Sequence, residues 1–224
     1  MYQMNEELWT AVDHYINDLL VPADSVFDSV LQASAEAGLP AINVSPSQGK
    51  FLMLLARIQG ARKILEVGTL GGYSTIWLAR ALPAGGQLVT LEADPKHAEV
   101  ARANINRAGL GSIVDLRLGP ALETLPQLAA EGCGPFDFVF IDADKPSTPE
   151  YFCFTLGLTR PGSLIVVDNV VRNGSIVDAA SGDASVQAMR RLHEVLAIET
   201  RASATTIQTV GGKGYDGFTI ALVQ

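Results

Sequence analysis

From residue 62 onward, short apolar segments alternate with segments of helical length, and this alternation restricts the folds that the chain can adopt. Two of the apolar segments, FDFVFI at 136–141 and SLIVVD at 163–168, are hydrophobic at nearly every position rather than at every second one. Such segments are typical of strands buried on both faces of a parallel sheet. Strands that alternate with helices predict an α/β fold with a doubly wound, mostly parallel sheet.

The order of the segments predicts seven strands preceded by two or three helices. The predicted strands are KILEVG, GQLVTLEAD, SIVDLRLG, FDFVFIDAD, SLIVVDN and two last strands at 203–209 and 217–223 around KGYDG. The last two are joined by a short glycine turn, which predicts an antiparallel hairpin at one edge of the sheet. A length of 224 residues suits one domain. We therefore predict a single Rossmann-like domain over 1–224, with a helical cap at 1–60 and a core at 61–224.

The composition excludes several classes of protein. With 24 acidic and 16 basic side chains the formal net charge is −8, and no Lys/Arg cluster is present, so nucleic acid is not an expected partner. The hydrophobic fraction of 48% argues against disorder. Cys133 and Cys153 are too few for a disulfide framework, which indicates a cytoplasmic setting. We expect neither a signal peptide nor a membrane span.

A glycine-rich run, GTLGG at 68–72, follows the first predicted strand and is preceded by Glu66, while the second strand ends at Glu92. Glycines allow the backbone to approach a ligand closely, and an acid in the place of Glu92 can bind a ribose diol. A dinucleotide fold requires GxGxxG, but Leu70 occupies the position of the second glycine. Glu66 would repel a pyrophosphate and suit a cationic amino-acid group, which favours S-adenosylmethionine. For this loop alone, a glycine turn without a ligand is the alternative.

Oxygen-bearing side chains follow the fourth and fifth predicted strands: Asp142 after the fourth, Asp168 and Asn169 after the fifth. Ligands of open α/β sheets bind at the carboxyl ends of the strands, so these side chains are candidates to converge there. Three oxygen donors without Cys or His suit a hard cation, with Mg²⁺ expected first and Ca²⁺ or Mn²⁺ as alternatives. Lys145 follows the first acid and is placed for a reacting hydroxyl. Taken singly, each acid also fits an Asx turn or a solvated loop.

Taken together, these motifs resemble those of the cation-dependent class I O-methyltransferases, the group of the caffeoyl-CoA and catechol O-methyltransferases. The resemblance covers nearly the whole chain, from NVSPSQGKFL through ILEVGTLGGYST, TLEAD, IDADK and DNVVRNG to GYDGFTIAL. It implies S-adenosylmethionine-dependent, metal-assisted O-methylation of a small catechol-like substrate, that is, a vicinal dihydroxy aromatic. It also implies a homodimer. The segments with which plant members grip coenzyme A esters have no recognisable match here.

The resemblance also implies roles for individual residues. Asp142 and Lys145 would be catalytic, with Lys145 as general base, and Asp142, Asp168 and Asn169 would bind the metal. Asn173, together with Lys145, would contact the substrate. Position 120 is a proline where many relatives have an acid, so one side-chain contact to the cofactor is absent. The residues implied to contact S-adenosylmethionine are Val44, Glu66, Gly68, Thr69, Ser74, Glu92, Ala121 and Asp144.

Three other functions are compatible with a sheet of this type, because one fold hosts many chemistries. An NAD-dependent oxidoreductase is disfavoured by the GTLGG spacing and by Glu66. A methyltransferase of another acceptor class, acting on a macromolecule, is disfavoured by the acidic charge and by the lack of a recognition domain. A non-catalytic S-adenosylmethionine-binding protein is disfavoured by the joint presence of the metal set and Lys145. The roles of Arg172 and of Tyr215, expected in the last hairpin turn, are left open.

Overall fold

The computed structural model describes residues 2–224, with side chains described from residue 6 onward. Three helices come first, and strands and helices then alternate up to a final pair of strands. Two short 3-10 turns interrupt the alternation, at Lys145–Ser147 and Ser175–Val177. The elements in chain order are α1 (Tyr2–Leu20), α2 (Ser25–Glu36), α3 (Pro46–Ile58), β1 (Lys63–Val67), α4 (Tyr73–Ala79), β2 (Gln87–Glu92), α5 (Pro95–Arg107), β3 (Val114–Leu118), α6 (Ala121–Ala130), β4 (Phe136–Ile141), α7 (Thr148–Gly157), β5 (Thr159–Asp168), α8 (Ala184–Ile198), β6 (Ala202–Gly211) and β7 (Gly214–Val223).

The seven strands form one sheet in the order β3-β2-β1-β4-β5-β7-β6. The pairs among β1 to β5 are parallel, and β7 runs antiparallel to both β5 and β6. The predicted doubly wound, mostly parallel sheet with an antiparallel edge hairpin is therefore confirmed. The strand order reverses between β1 and β4, and ligands of open α/β sheets bind beside such a reversal, at the carboxyl ends of the strands.

The sheet is buried on both faces, which is why its central strands are apolar at nearly every position. Along β4, Val139 and Ile141 pack into one hydrophobic cluster while Phe138 and Phe140 pack into another. The first cluster includes residues of α6, α7 and α8, and the second includes residues of α2, α3, α4 and α5. All six residues of β4 are buried. The helices thus hold the carboxyl ends of the strands in fixed positions.

The cap residues of several helices agree with sequence rules. Asp24 and Asp94 accept hydrogen bonds from the first backbone N–H groups of α2 and α5, and Ser45 accepts one from the N–H of Gln48 in α3. Pro46 and Pro95 occupy the first helical positions, where their missing N–H groups cost nothing. Within the described part of the chain, no helix combines the length and apolar character that crossing a membrane requires.

Two strand boundaries differ from the sequence prediction. β5 begins at Thr159, before the RPG segment, and its register with β4 shifts between Phe136 and Phe138. The terminal hairpin is longer than expected, because pairing continues out to Gly211 and Gly214. Tyr215 therefore lies in β7, and the prediction that it lies in the turn is wrong. The polar, glycine-rich end of the hairpin gives little hydrophobic pattern from which its length can be read.

Asp137 lies near the start of β4, at the end of the sheet opposite the carboxyl ends of the parallel strands. Its carboxylate links β4 to residues at the starts of β1 and β5. It accepts hydrogen bonds from the N–H groups of Arg62 (2.8 Å) and Lys63 (3.0 Å) and from the guanidinium of Arg160 (2.6 Å). Burial raises the pKa of Asp137, but these three donors outweigh it and hold the pKa below its ordinary value of 3.8. A carboxyl whose pKa falls on folding stabilises the fold above its unfolded-state pKa.

We expect Asp137→Asn to lower the free energy of unfolding by about 2 kcal/mol at pH 7, the usual cost of losing hydrogen bonds to a charged group. The difference from wild type should shrink as the pH falls through the folded-state pKa, because wild type then loses the same charge. Denaturant unfolding at pH 7 and pH 3 measures both values. A deficit equally large at both values of pH would contradict this account.

Candidate active site

The glycine-rich loop after β1 is shaped by the end of β4. Gly68 has a φ of +100°, and a Cβ atom there would lie 2.2 Å from the carbonyl oxygen of Asp142. The N–H of Asp142 donates to the carbonyl of Val67 at 2.9 Å. Only glycine satisfies both the positive φ and the close contact, so packing alone requires the first glycine of GTLGG.

Glu92, at the end of β2, holds the same loop from the other side. Its carboxylate accepts hydrogen bonds from the N–H groups of Thr69 (3.2 Å), Leu70 (2.7 Å) and Asp94 (2.9 Å). An ionised carboxylate offers about four acceptor positions, so capacity is left for a ligand. The acid predicted to bind a ribose thus also positions the glycine loop, a role that the motif alone does not indicate.

Glu66 is fully buried beneath this loop. Its carboxylate accepts hydrogen bonds from the hydroxyls of Ser74 (2.6 Å), Thr75 and Thr90 (2.7 Å). Burial raises the pKa of Glu66 to about 7, against the lowering effect of the three hydroxyls. Glu66 does not itself line a cavity, whereas Ser74 does. Direct contact between Glu66 and a cofactor stays a prediction, and in this structure Ser74 is the link between them.

A cavity of about 460 Å³ lies above the glycine loop, at the carboxyl ends of β1, β2 and β4. α6 begins at Ala121 without a side-chain cap, and its first N–H groups lack a side-chain partner. The Asp144 carboxylate accepts from the hydroxyl of Tyr151 and from the N–H of Ser147. All the predicted cofactor contacts except Glu66 line this cavity: Val44, Gly68, Thr69, Ser74, Glu92, Ala121 and Asp144.

Polar groups from three elements meet beside this cavity. Asp142 accepts a hydrogen bond from the ammonium of Lys145 at 2.8 Å. Asp168 is buried and accepts from the side-chain amide of Gln48 at 2.6 Å and from the N–H of Asn169 at 2.8 Å. Burial and then the charge of Asp142 raise the pKa of Asp168 to about 7. The predicted convergence of the fourth and fifth strand ends is therefore present in the structure.

The side chains of Asp142, Asp168 and Asn169 offer oxygen atoms as possible metal ligands. Asn169 has a φ of +58°, in the left-handed region that few residues other than Gly, Asn and Asp adopt. Over the described residues, no group of three or more His, Cys, Asp or Glu side chains is arranged to hold a metal. The predicted set differs from such a group, since it consists of two carboxylates, Asp142 and Asp168, and one amide.

A second cavity, of about 390 Å³, adjoins the first. The tilted rings of Phe51 and Phe218, 5.1 Å apart between centroids, form part of its wall, and Asn173 lines it as predicted for a substrate contact. Lys145 lines the first cavity instead. The residues that line both cavities are Ile42, Asn43, Val44, Asp142 and Asn169. Two ligands bound side by side would thus meet at Asp142 and Asn169.

Several residues of this second cavity were not anticipated. Gln48 lies 120 positions from the Asp168 that it contacts, and Asp13 accepts at 2.7 Å from the N–H of Gly212, 199 positions away. Lys213 projects from the turn between β6 and β7. Contacts at such separations leave no local pattern, and the NVSPSQG motif was the only signal that pointed to Gln48.

Comparison with known proteins identifies the family. The family model for O-methyltransferases matches residues 20–222. The chain belongs to the O-methyltransferase family. It is 55% identical to the catechol O-methyltransferase of Niastella koreensis, over 99% of this chain and 100% of that protein. It is 52% identical to the catechol O-methyltransferase of Mycobacterium tuberculosis, over 95% of each chain.

Solved structures agree with this assignment. The O-methyltransferase from Bacillus cereus in complex with SAH is 58% identical, with a TM-score of 0.97 over 98% of this chain and 100% of that one. The O-methyltransferase TomG from Streptomyces achromogenes, in complex with SAM, is 52% identical, with a TM-score of 0.95 over 99% of each chain. The resemblance inferred from the motifs and the prediction of an O-methyltransferase are therefore confirmed, and the NAD-dependent alternative is disfavoured.

The buried carboxyl of Glu66 should give this O-methyltransferase a stability that depends on pH. Its pKa rises from an ordinary value of 4.5 to about 7 on folding. Between these values the folded state keeps a proton that the unfolded state has lost, so stability falls as the pH rises and levels off above about 7. We expect Glu66→Gln to remove this contribution, which amounts to at most about 3 kcal/mol.

Denaturant unfolding of metal-free protein at intervals from pH 4.5 to 8 measures the effect. The difference in unfolding free energy should move in favour of the Gln variant as the pH rises. Glu123→Gln, at an exposed position of α6, is the matched control and should follow wild type. Parallel curves for wild type and Glu66→Gln would show that Glu66 ionises normally in the fold.

Proposed function

We propose that this chain transfers the methyl group of S-adenosylmethionine to one hydroxyl of a small vicinal dihydroxy aromatic, assisted by a divalent cation. One observation carries the proposal: two adjoining cavities meet at Asp142 and Asn169, where Asp168 and Lys145 also converge. One cavity suits a nucleoside cofactor and the other a flat aromatic ring. Methyl transfer requires that two reactants be held in line, and such an arrangement supplies that orientation.

The first cavity is the proposed site of S-adenosylmethionine, which would supply an electrophilic methyl group on a sulfonium. Glu92 is placed to accept hydrogen bonds from a ribose diol, and the free N–H groups at the start of α6 are available to an adenine. Ser74 and Asp144 also line this cavity, and the acidic side chains around it favour a cationic amino-acid portion. The SAH and SAM complexes of the two similar structures support this use of the cavity.

Asp142, Asp168 and Asn169 fit a hard divalent cation, Mg²⁺ before Ca²⁺ or Mn²⁺. All three offer oxygen, the ligand type that these cations prefer. Two carboxylates close enough for one to raise the pKa of the other form an anionic site that a cation would relieve. The cation would act as a Lewis acid that makes a coordinated hydroxyl more acidic. Gln48 donates to Asp168 and so fixes the orientation of one carboxylate.

The acceptor is proposed to be a catechol-like molecule bound in the second cavity between Phe51 and Phe218. A phenol has a pKa near 10, so its hydroxyl must lose a proton near the enzyme for attack at neutral pH. Lys145, whose amine donates to Asp142 at 2.8 Å, is placed beside this site and in its neutral form would accept that proton. Asn173 is placed to orient the acceptor. The catechol O-methyltransferases of Niastella koreensis and Mycobacterium tuberculosis support this class of substrate.

The cation requirement gives the decisive experiment. Enzyme, S-adenosylmethionine and a panel of catechols are incubated with chelator and with added Mg²⁺, and products are read by mass spectrometry. We expect a singly methylated product with Mg²⁺, and loss of at least a hundredfold in rate with chelator or in Asp168→Ala, because an anchored ligand and its charge are lost. Asp115→Ala removes an exposed carboxylate of β3 and should retain wild-type activity.

Binding of S-adenosylmethionine, measured by calorimetry, separates the two halves of the proposal. Asp168→Ala should still bind the cofactor, since Asp168 does not line the first cavity. Methylation that continues in chelator would refute the role of the cation while leaving methyl transfer intact. Failure of every catechol in the panel, with cofactor bound, would refute the acceptor class.

We also propose that the enzyme is a homodimer and that α1 contributes to its interface. Leu8, Val12, Tyr15 and Leu19 recur at helical spacing on one face of α1, and all four are exposed. Exposed apolar stripes of this kind mark interaction surfaces. Light scattering should give twice the mass of one chain, and Val12→Glu with Leu19→Glu should reduce it to that of one chain. A wild-type protein of single-chain mass would contradict the proposal.

A further inference from the structure

One basic side chain lies at the mouth of the acceptor cavity. Of the described residues that line this cavity, Lys213 is the one Lys or Arg. It occupies the tight turn between β6 and β7, where its position is fixed by the hairpin. Its ammonium donates hydrogen bonds to the backbone carbonyls of Asn43 and, at 3.4 Å, of Ala41. An ammonium carries three N–H donors, so one is left for a ligand.

Lys213 has no carboxylate partner among the described side chains, since none lies within ion-pair distance. Besides Asp142 and Asp168, two acids line this cavity, and both are already hydrogen-bonded to backbone amides. Asp13 accepts from the N–H of Gly212. Asp216 accepts from the N–H groups of Val171, Arg172 and Gly217. The positive charge at the mouth is therefore not neutralised by an ion pair.

The surroundings of Lys213, including a carboxylate of the acceptor cavity, act on the pKa of its ammonium. Loss of solvent around the ammonium lowers the pKa of Lys213, and the charge of Asp142 acts in the opposite direction. Asp142 and Lys213 both line the acceptor cavity, and the charge of one acts on the other. Lys213 is exposed, so its remaining N–H donor is accessible to an anionic group of a ligand.

The acceptor cavity is therefore lined by negatively charged groups and by one positively charged group. Asp142 and the buried Asp168 line it with oxygen donors, the rings of Phe51 and Phe218 form part of its wall, and Lys213 is exposed to solvent, so we place the oxygen donors at the inner end and Lys213 at the mouth. An aromatic acceptor whose vicinal hydroxyls face the inner end directs its opposite ring substituents toward the mouth. The chemistry that fits there is an anion within reach of an ammonium.

We propose that Lys213 binds an anionic substituent of the acceptor, so that the preferred substrates are vicinal dihydroxy aromatics that carry a carboxylate on the far side of the ring. This inference rests on the proposed function, and it selects one class among the catechols. Lys213 is a specificity residue: it holds the acceptor and takes no part in the proton or methyl transfer. The two carbonyl bonds pre-orient the ammonium, which lowers the ordering cost when the carboxylate binds.

The test compares two acceptors that differ in one charge. 3,4-Dihydroxybenzoate and its methyl ester share the ring, both hydroxyls and the carbonyl, but only the acid is anionic at neutral pH. The measured quantity is the ratio of kcat/KM for the acid to kcat/KM for the ester, in wild type, Lys213→Met and Lys213→Arg, at saturating S-adenosylmethionine and Mg²⁺. Comparing the ratio between variants cancels the different acidities of the two phenols.

We expect Lys213→Met to lower this ratio roughly threefold to tenfold, the value of a charge-assisted hydrogen bond that solvent partly screens, chiefly through KM of the acid. Lys213→Arg should restore most of it. Lys63→Met is the matched control, because Lys63 also donates to a carbonyl, that of Cys133 at 3.3 Å, at the opposite end of the sheet. Its ratio should equal that of wild type.

Equal losses for both acceptors in Lys213→Met would overturn the proposal, because they would mean that Lys213 only braces the loop of Ala41 and Asn43. A ratio that falls in Arg172→Met but not in Lys213→Met would also overturn it. Arg172 lines the cofactor cavity and has a buried Nε without a hydrogen-bond partner, so that result would place the carboxylate on that side. If wild type methylates neither acceptor, the proposed function itself fails.

Discussion

Both halves of the site depend on one backbone contact, in which Gly68 lies directly against the carbonyl of Asp142. β1 and β4 are neighbours in the sheet although five elements separate them in sequence, and the strand order proceeds in opposite directions on either side of this pair. The glycine loop and the Asp142 loop are therefore forced together at the reversal of strand order. A side chain at residue 68 would push apart the two loops that hold the two proposed reactants.

Buried acids are the second organising element. Glu66 and Asp168 are both removed from solvent, and the pKa of each is raised to about 7, yet their surroundings differ. Three hydroxyls surround Glu66. Because a hydroxyl can donate or accept a hydrogen bond, these groups can bond to the carboxyl group of Glu66 in either protonation state. Asp168 faces a second carboxylate, and its hydrogen-bond donors among the described residues are one side-chain amide and one backbone N–H. Glu66 thus supports the fold beneath the loop, while Asp168 retains a charge imbalance of the kind found at functional sites.

Much of the fold and of the site could be predicted from sequence, because both are encoded locally. The apolar runs indicated the buried strands, and the polar residues that end them indicated which side chains would share one edge of the sheet. The length of the hairpin could not be predicted, since its tip is polar and its pairing at Gly211 and Gly214 depends on the turn. Gln48 and Lys213 were missed for another reason: their partners lie more than a hundred residues away along the chain. Such contacts exist only once α3 and the hairpin have docked on the sheet.

The loop that contains Ile42, Asn43 and Val44 forms a wall of both cavities. Any movement of this loop that one ligand induces is therefore a change in the binding surface of the other. Thermodynamic linkage makes the effect reciprocal: the factor by which the first ligand alters the affinity of the second equals the factor in the opposite direction. This shared wall of three residues thus makes the affinities for the two reactants interdependent. Part of the free energy of binding one reactant can order the loop that forms the binding surface of the other.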